Sequence, residues 1–198
     1  VGESGTILRS TDNGSSFSTV TSPTSNDFWG VTFGNNTFVA VGHSGNIVRS
    51  TDNGTTFDNA TSPTTKYLWG VEFGNNTFVA VGNSGIIVKS TDNGTSWDNT
   101  TSPTANGLYG VTFENNTFVA VGNSGNIVRS TDNGTSWDNA TTDNSTVNTL
   151  RGVTFGNNTF VAVGVSGKIV RSTDNGTSWD NATSGISQYL RGITVGNN

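Results

Sequence analysis

Short apolar runs alternate with short polar breaks along the whole chain. Taking one unit from Leu68, the run Leu68-Trp69-Gly70-Val71-Glu72-Phe73 predicts a strand, closed by the turn signal Gly74-Asn75-Asn76. Thr77-Phe78-Val79-Ala80-Val81 predicts a second strand, apolar on both faces as befits a sheet held between neighbouring sheets. Asn83-Ser84-Gly85 breaks it and Ile86-Ile87-Val88-Lys89-Ser90 reads as a third strand. Asp92-Asn93-Gly94 is a tight hairpin, and Thr95-Ser96-Trp97-Asp98 a more polar fourth strand. Nothing has a helical period, and good helix formers are scarce. The four strands of the unit are named A to D.

The unit recurs. Ser-Thr-Asp-Asn-Gly begins at Ser10, Ser50, Ser90, Ser130 and Ser172, a forty-residue spacing with two extra residues before the last copy. A period near forty with four strand-like runs is that of a propeller blade. The expectation is an all-β, single-domain, five-bladed β-propeller of four-stranded antiparallel blades over residues 1–198. Its repeats run at about 27–66, 67–106, 107–148 and 149–188, with a closing blade of 189–198 plus 1–26. Pairing of the C-terminal strand A with the N-terminal strands is expected to close the ring and leave no open inner edge. The Thr-Phe-Val-Ala that begins every other strand B is missing before Val1. Either the closing blade has a shortened strand B or the chain is cut from something longer, and Val1 in place of Met points to a processed product or fragment. An edge left open at Val1 could accept a strand from a neighbouring subunit.

The hairpins Ser10 to Phe17, Ser50 to Phe57, Ser90 to Trp97, Ser130 to Trp137 and Ser172 to Trp179 resemble the Asp box, S-x-D-x-G-x-[ST]-[WF]. Its spacing has a physical basis. Asn-Gly supplies the positive-φ turn positions, and the carboxylates of Asp12, Asp52, Asp92, Asp132 and Asp174 can accept backbone N–H groups. The rings of Phe17, Phe57, Trp97, Trp137 and Trp179 can fold under the hairpins as apolar plugs. The chain resembles the bacterial neuraminidase (BNR) repeat class shared by sialidases and the photosystem II assembly-factor family, and its run VAVGNSGNIVRSTDNGTSW is similar to the latter. The resemblance implies structural boxes on the blade periphery, away from the ligand face. The ladder of acids that holds calcium is absent, so no metal and no cofactor is expected.

Sialidase chemistry does not carry over, since it needs an arginine triad, a Tyr–Glu nucleophile pair and an acidic proton donor. Arg9, Arg49, Lys89, Arg129 and Arg171 occupy one repeated strand C position and read as a solvated or hairpin-anchoring ring. The sole histidine, His43, has no identifiable Ser or Cys partner and stands where other repeats carry Glu3, Asn83, Asn123 and Val165, so it reads as loop decoration. No catalytic residue and no enzyme is expected.

Charge narrows the partners. The 198 residues carry a formal net charge of -5, with only 12% charged residues. The basic residues are scattered, which disfavours nucleic acid and anionic membrane surfaces. No apolar run approaches the ~20 residues that span a bilayer, so membrane insertion is not expected. There is no Cys to form a disulfide framework.

The copies differ in particular places. The D-to-A connections read Ser25-Asn26-Asp27-Phe28, Thr65-Lys66-Tyr67-Leu68, Ala105-Asn106-Gly107-Leu108, Ser145-Thr146-Val147-Asn148 and Ile186-Ser187-Gln188-Tyr189, and the B-to-C turns vary too. In an up-and-down blade both connections emerge opposite the Asp boxes. Just before the strand A glycine stand Trp29, Trp69, Tyr109, Arg151 and Arg191, expected to ring the channel mouth. Aromatic faces with arginine forks suit a sugar or a carboxylate-bearing ligand; the alternative is that the connections vary because nothing constrains them and that Trp and Tyr simply cap the channel.

Sequons stand at Asn35, Asn59, Asn75, Asn99, Asn115, Asn139, Asn157 and Asn181, with others inside the boxes and at Asn144. They suit a glycosylated, secreted or cell-surface protein. The expected function is a non-enzymatic extracellular binding module that recognises a glycan or peptide, or another protein surface, on its variable loop face. The alternatives are a structural repeat subunit of a surface layer or filament, and a consensus or amplified propeller without a ligand.

Overall fold

Strand A turns into strand B through two left-handed asparagines, Asn75 at φ 46° and Asn76 at φ 58°, a turn whose twist matches the flanking strands. In the computed structural model, which describes residues 1–142 and 148–196, this hairpin recurs in four consecutive blades. Blade 2 has strand A at Leu68–Gly74, B at Thr77–Gly82, C at Ile87–Ser90 and D at Asp98–Asn99, hydrogen-bonded in that order. Blades 1, 3 and 4 occupy 28–59, 108–139 and 150–182 with the same order, and Thr141–Thr142 adds a parallel strand at the outer edge of blade 4. The all-β propeller architecture of four-stranded antiparallel blades is therefore present.

The cores lie between blades. Val39, Val41 and Ile47 of blade 1 pack with Leu68, Val71, Phe78 and Trp97 of blade 2, and equivalent clusters join blades 2 to 3 and 3 to 4. Strand B is buried on both faces because each face meets a different blade. Near the axis the strands of neighbouring blades lie close together: a Cβ on Gly70 would lie 3.0 Å from the Tyr109 carbonyl oxygen, so a side chain there would press on the next blade. Polar ties also join neighbouring sheets. The Asn93 side chain donates to Thr37 Oγ1 at 2.5 Å, Arg9 Nε to the Asn53 carbonyl at 2.7 Å and Lys89 Nζ to Thr135 Oγ1 at 2.8 Å. For Arg9 and Lys89, the hairpin-anchoring reading of the strand C cations is the one the structure bears out.

Three expectations need correction. Strand D is shorter than expected in blades 1 to 3, because Thr95–Trp97 and its equivalents are spent on the box hairpin. Among the described residues the ring-closing pairing is not formed: Ile7–Arg9 pairs only with Ser18–Val20, and residues 191–196 join no ladder. Strand A meets strand C only through a strand B, and residues 1–20 supply just Val1-Gly2 of one. Asn197 and Asn198, part of the expected closing strand, lie outside the described residues. With no more of that strand B than Val1-Gly2 to cover them, Phe17 is not a plug but 62% exposed, and Val31 is 48% exposed where its blade 2 equivalent Val71 is 8% exposed.

Candidate functional site

The box hairpins are tied by internal hydrogen bonds, and in blades 1 to 4 the serine is their buried hub. Ser90, 1% exposed, donates its hydroxyl to Asp92 Oδ1 at 2.8 Å and accepts the Gly94 amide at 2.9 Å. Asp92 itself is exposed and accepts the amides of Thr95 and Ser96 and the Ser96 hydroxyl. Asp52, Asp132 and Asp174 repeat this with Ser50, Ser130 and Ser172, and Asp12 with Ser10. The indole N–H groups of Trp97, Trp137 and Trp179 donate to the box carbonyls of Gly94, Gly134 and Gly176, and Phe57 is buried in the equivalent place.

These bonds favour the ionised carboxylate. Hydrogen bonds from Ser16 hold Asp12 at about 2, and those from Ser178 hold Asp174 at about 2. At Asp92 and Asp132 burial pushes the other way, yet bonds from Ser96 and Ser136 prevail and leave both at about 2. The amide and hydroxyl of Thr56 hold Asp52 low.

The opposite face carries the variable residues. A cavity of about 550 Å³ is lined by Trp29, Trp69, Tyr109, Arg151 and Arg191, together with Val165 and Tyr189. All five residues of the expected ring therefore meet around one space. The ring is not uniform. Trp69 stacks on Tyr109 with centroids 4.5 Å apart, and the Arg151 guanidinium carbon lies 3.9 Å from the Tyr109 centroid. Tyr109 donates its hydroxyl to Asn123 Oδ1 at 3.0 Å, which also accepts the Thr149 hydroxyl. Trp69 and Tyr109 are thus half-buried, whereas Trp29, Arg151 and Arg191 are exposed.

Each seam between blades brings three variable positions together: the ring residue, the B-to-C turn residue, and the residue two before the next ring residue. Between blades 1 and 2 these are Trp29, His43 and Tyr67, in mutual ring contact. They are Trp69, Asn83 and Gly107 at the next seam, then Tyr109, Asn123 and Thr149, and then Arg151, Val165 and Tyr189. Reasoning from sequence missed Tyr67 and Tyr189 as site residues, although both lie in the variable connections.

His43 also needs correction. It has a serine partner, its Nδ1 lying 2.7 Å from Ser44 Oγ. Ser44 has φ 56°, but Ser4, Ser84, Ser124 and Ser166 share that conformation without a histidine, so the turn itself imposes it.

The sequon asparagines Asn35, Asn75, Asn115 and Asn157 sit in A-to-B turns, and Asn59, Asn99, Asn139 and Asn181 on strand D, all exposed. Asn75 donates its side-chain amide to Asn116 and Asn133. Asn144 and Ser145, Thr146 and Val147 of one connection lie outside the described residues. Among the described residues no helix is long and apolar enough to cross a membrane.

The family model of the DUF6242 beta propeller domain matches residues 71–190, more than half of the chain. No curated protein sequence matches. Solved structures show the same fold. YCF48 bound to a D1 peptide is 21% identical with a TM-score of 0.67, over 86% of this chain and 57% of that one. YCF48 from Cyanidioschyzon merolae is 17% identical with a TM-score of 0.68, over 89% and 62%. The chain thus spans less than two thirds of either YCF48 chain. An ancestral GH74 enzyme is 18% identical with a TM-score of 0.74, over 91% of this chain and 28% of its own. What the chain shares with the YCF48 and GH74 structures is the β-propeller fold.

Proposed function

We propose that this chain, which belongs to the DUF6242 beta propeller domain family, is a non-enzymatic recognition domain whose cavity holds an acidic segment of polypeptide. The observation that carries this is the lining: aromatic rings and two exposed arginines around about 550 Å³, with no carboxylate among the lining residues. That volume lies within the usual range of binding pockets, and arginine forks match carboxylates.

Charge segregation supports it. Of the nine Lys and Arg residues, Arg9, Arg49, Lys89, Arg129 and Arg171 stand on strand C, while Lys66, Arg151, Lys168 and Arg191 belong to the variable face. Among the described residues, Glu3 and Asp27 are the acids of that face, and Asp27 Oδ1 already accepts the Ser4 amide. The face is therefore cationic on a molecule of net charge -5. A similar fold solved with a peptide bound supports a polypeptide over other anions.

A non-enzymatic role rests on the His43 and Ser44 pair, whose geometry belongs to a turn repeated in every blade rather than to an activated nucleophile. The exposed sequons support a place outside the cell or on its surface.

Calorimetric titration with acetylated hexaglutamate tests the reading. Binding that weakens about tenfold in Arg191→Ala, or about 1.4 kcal/mol, is expected. Equal binding by an Arg151→Ala, Arg191→Ala double variant would overturn it.

A further inference from the structure

We infer that the seam of Trp29, His43 and Tyr67 is a second subsite, taking an aromatic side chain of the same acidic polypeptide; this rests on the reading of the cavity given above. The four seams are built alike but end differently. Between blades 2 and 3 a glycine stands where Tyr67 does, and a Cβ there would lie 2.8 Å from the Trp69 ring, so that seam is closed by Trp69 itself. Between blades 3 and 4, Tyr109, Asn123 and Thr149 satisfy one another by hydrogen bonds. The seam between blades 1 and 2 carries three rings with no such closure. Trp29 is 41% and Tyr67 39% exposed.

The ring geometry suits a fourth ring. His43 and Tyr67 lie 4.6 Å apart at 34°, and Trp29 meets Tyr67 edge-on at 5.4 Å and 65°. The wall therefore offers both a face and an edge, the two modes by which aromatic rings pair. Exposed rings of this kind on a soluble domain mark an interaction surface.

Continuity with the cavity and the distribution of charge decide the occupant. Trp29 belongs to both the seam and the cavity lining, so a chain held in the cavity runs directly onto the seam. Arg151 and Arg191 hold the last two ring positions of the cavity, whereas the seam is lined by the rings of Trp29, His43 and Tyr67, which sends the carboxylates to the arginines and the aromatic side chain of the ligand to Trp29 and Tyr67. One polypeptide with an aromatic residue a short distance from a run of acids satisfies both ends.

The test uses two acetylated hexapeptides, tyrosine or alanine followed by two glycines and three glutamates, titrated calorimetrically into the whole chain. The tyrosine peptide is expected to bind about five- to tenfold more tightly. Tyr67→Ala and His43→Ala should abolish that preference while leaving the affinity of the alanine peptide unchanged, and Tyr67→Phe should keep it. Equal affinity for the two peptides, or a preference that survives Tyr67→Ala, overturns the subsite and leaves the cavity reading standing. A loss shared equally by both peptides in Tyr67→Ala shows a structural role and also overturns it. Binding of neither peptide to the unmodified chain overturns both readings.

Discussion

The indole of Trp69 lies stacked on the phenol ring of Tyr109, 4.5 Å between centroids and 24° between planes. Trp69 is therefore a wall of the cavity whose face is already occupied, whereas Trp29 is 41% exposed and still has surface to offer. Trp69→Ala should lower unfolding stability by about 2 kcal/mol and change peptide affinity less than Trp29→Ala does. Denaturant melts and titrations on the two variants measure both effects. The account is wrong if Trp69→Ala is the more damaging to binding.

The box predicts an order of stability. Ser90→Ala strands the buried Gly94 amide and should cost about 1–3 kcal/mol. Asp92→Ala removes bonds at an exposed carboxylate and should cost less, about 1 kcal/mol or below. Urea unfolding of the two variants decides the order, and a costlier Asp92→Ala would contradict the assignment of serine as the buried hub.

Acid should attack the boxes together. Asp12, Asp92, Asp132 and Asp174 sit at about 2, below the ordinary 3.8. A carboxyl depressed in the folded state adds stability above its unfolded value and loses it as pH falls through the folded one. Unfolding midpoints should thus hold from neutrality to about pH 4 and fall between about pH 4 and 2. A flat profile across that window would show that the box bonds do not favour the ionised state.

One residue points the opposite way. Burial pushes the Glu72 carboxyl up, against bonds from the Phe73 amide and Thr32 hydroxyl. A raised folded value gives stability that is full at acid pH and lost as pH rises through it. Blades 1, 3 and 4 carry Thr32, Thr112 and Thr154 at this position. Glu72→Thr should accordingly stabilise the chain at pH 7, by on the order of 1 kcal/mol, and by less at pH 4. Melting curves at the two pH values would contradict this if the gain were larger at pH 4.

Much of the fold was legible because forty-residue periodicity, the Asn-Asn and Asn-Gly turns and the doubly apolar strand B are local signals, each read from a few adjacent residues. The ring of Trp29, Trp69, Tyr109, Arg151 and Arg191 was legible for a related reason, since equivalent positions in a repeat return to equivalent places around an axis. What escaped were relations across blades. Tyr67 belongs to the seam with Trp29 through contact between different blades, which no single repeat encodes. Phe17 obeys the box pattern yet stays exposed, because burying it depends on neighbours that residues 1–20 do not supply. The Ser90 hub was hidden by the box's name: the carboxylate is the conspicuous group, while burial singles out the hydroxyl.

The five tryptophans give the most direct test of where the ligand sits. Trp29 and Trp69 line the cavity, while Trp97, Trp137 and Trp179 are buried under the boxes with their indole N–H groups bonded to glycine carbonyls. In a nitrogen-15 correlation spectrum, acetylated hexaglutamate should shift the indole signals of Trp29 and Trp69 and leave the three box signals in place. Shifts confined to the box tryptophans, or none at saturating peptide, would contradict a ligand site at the cavity.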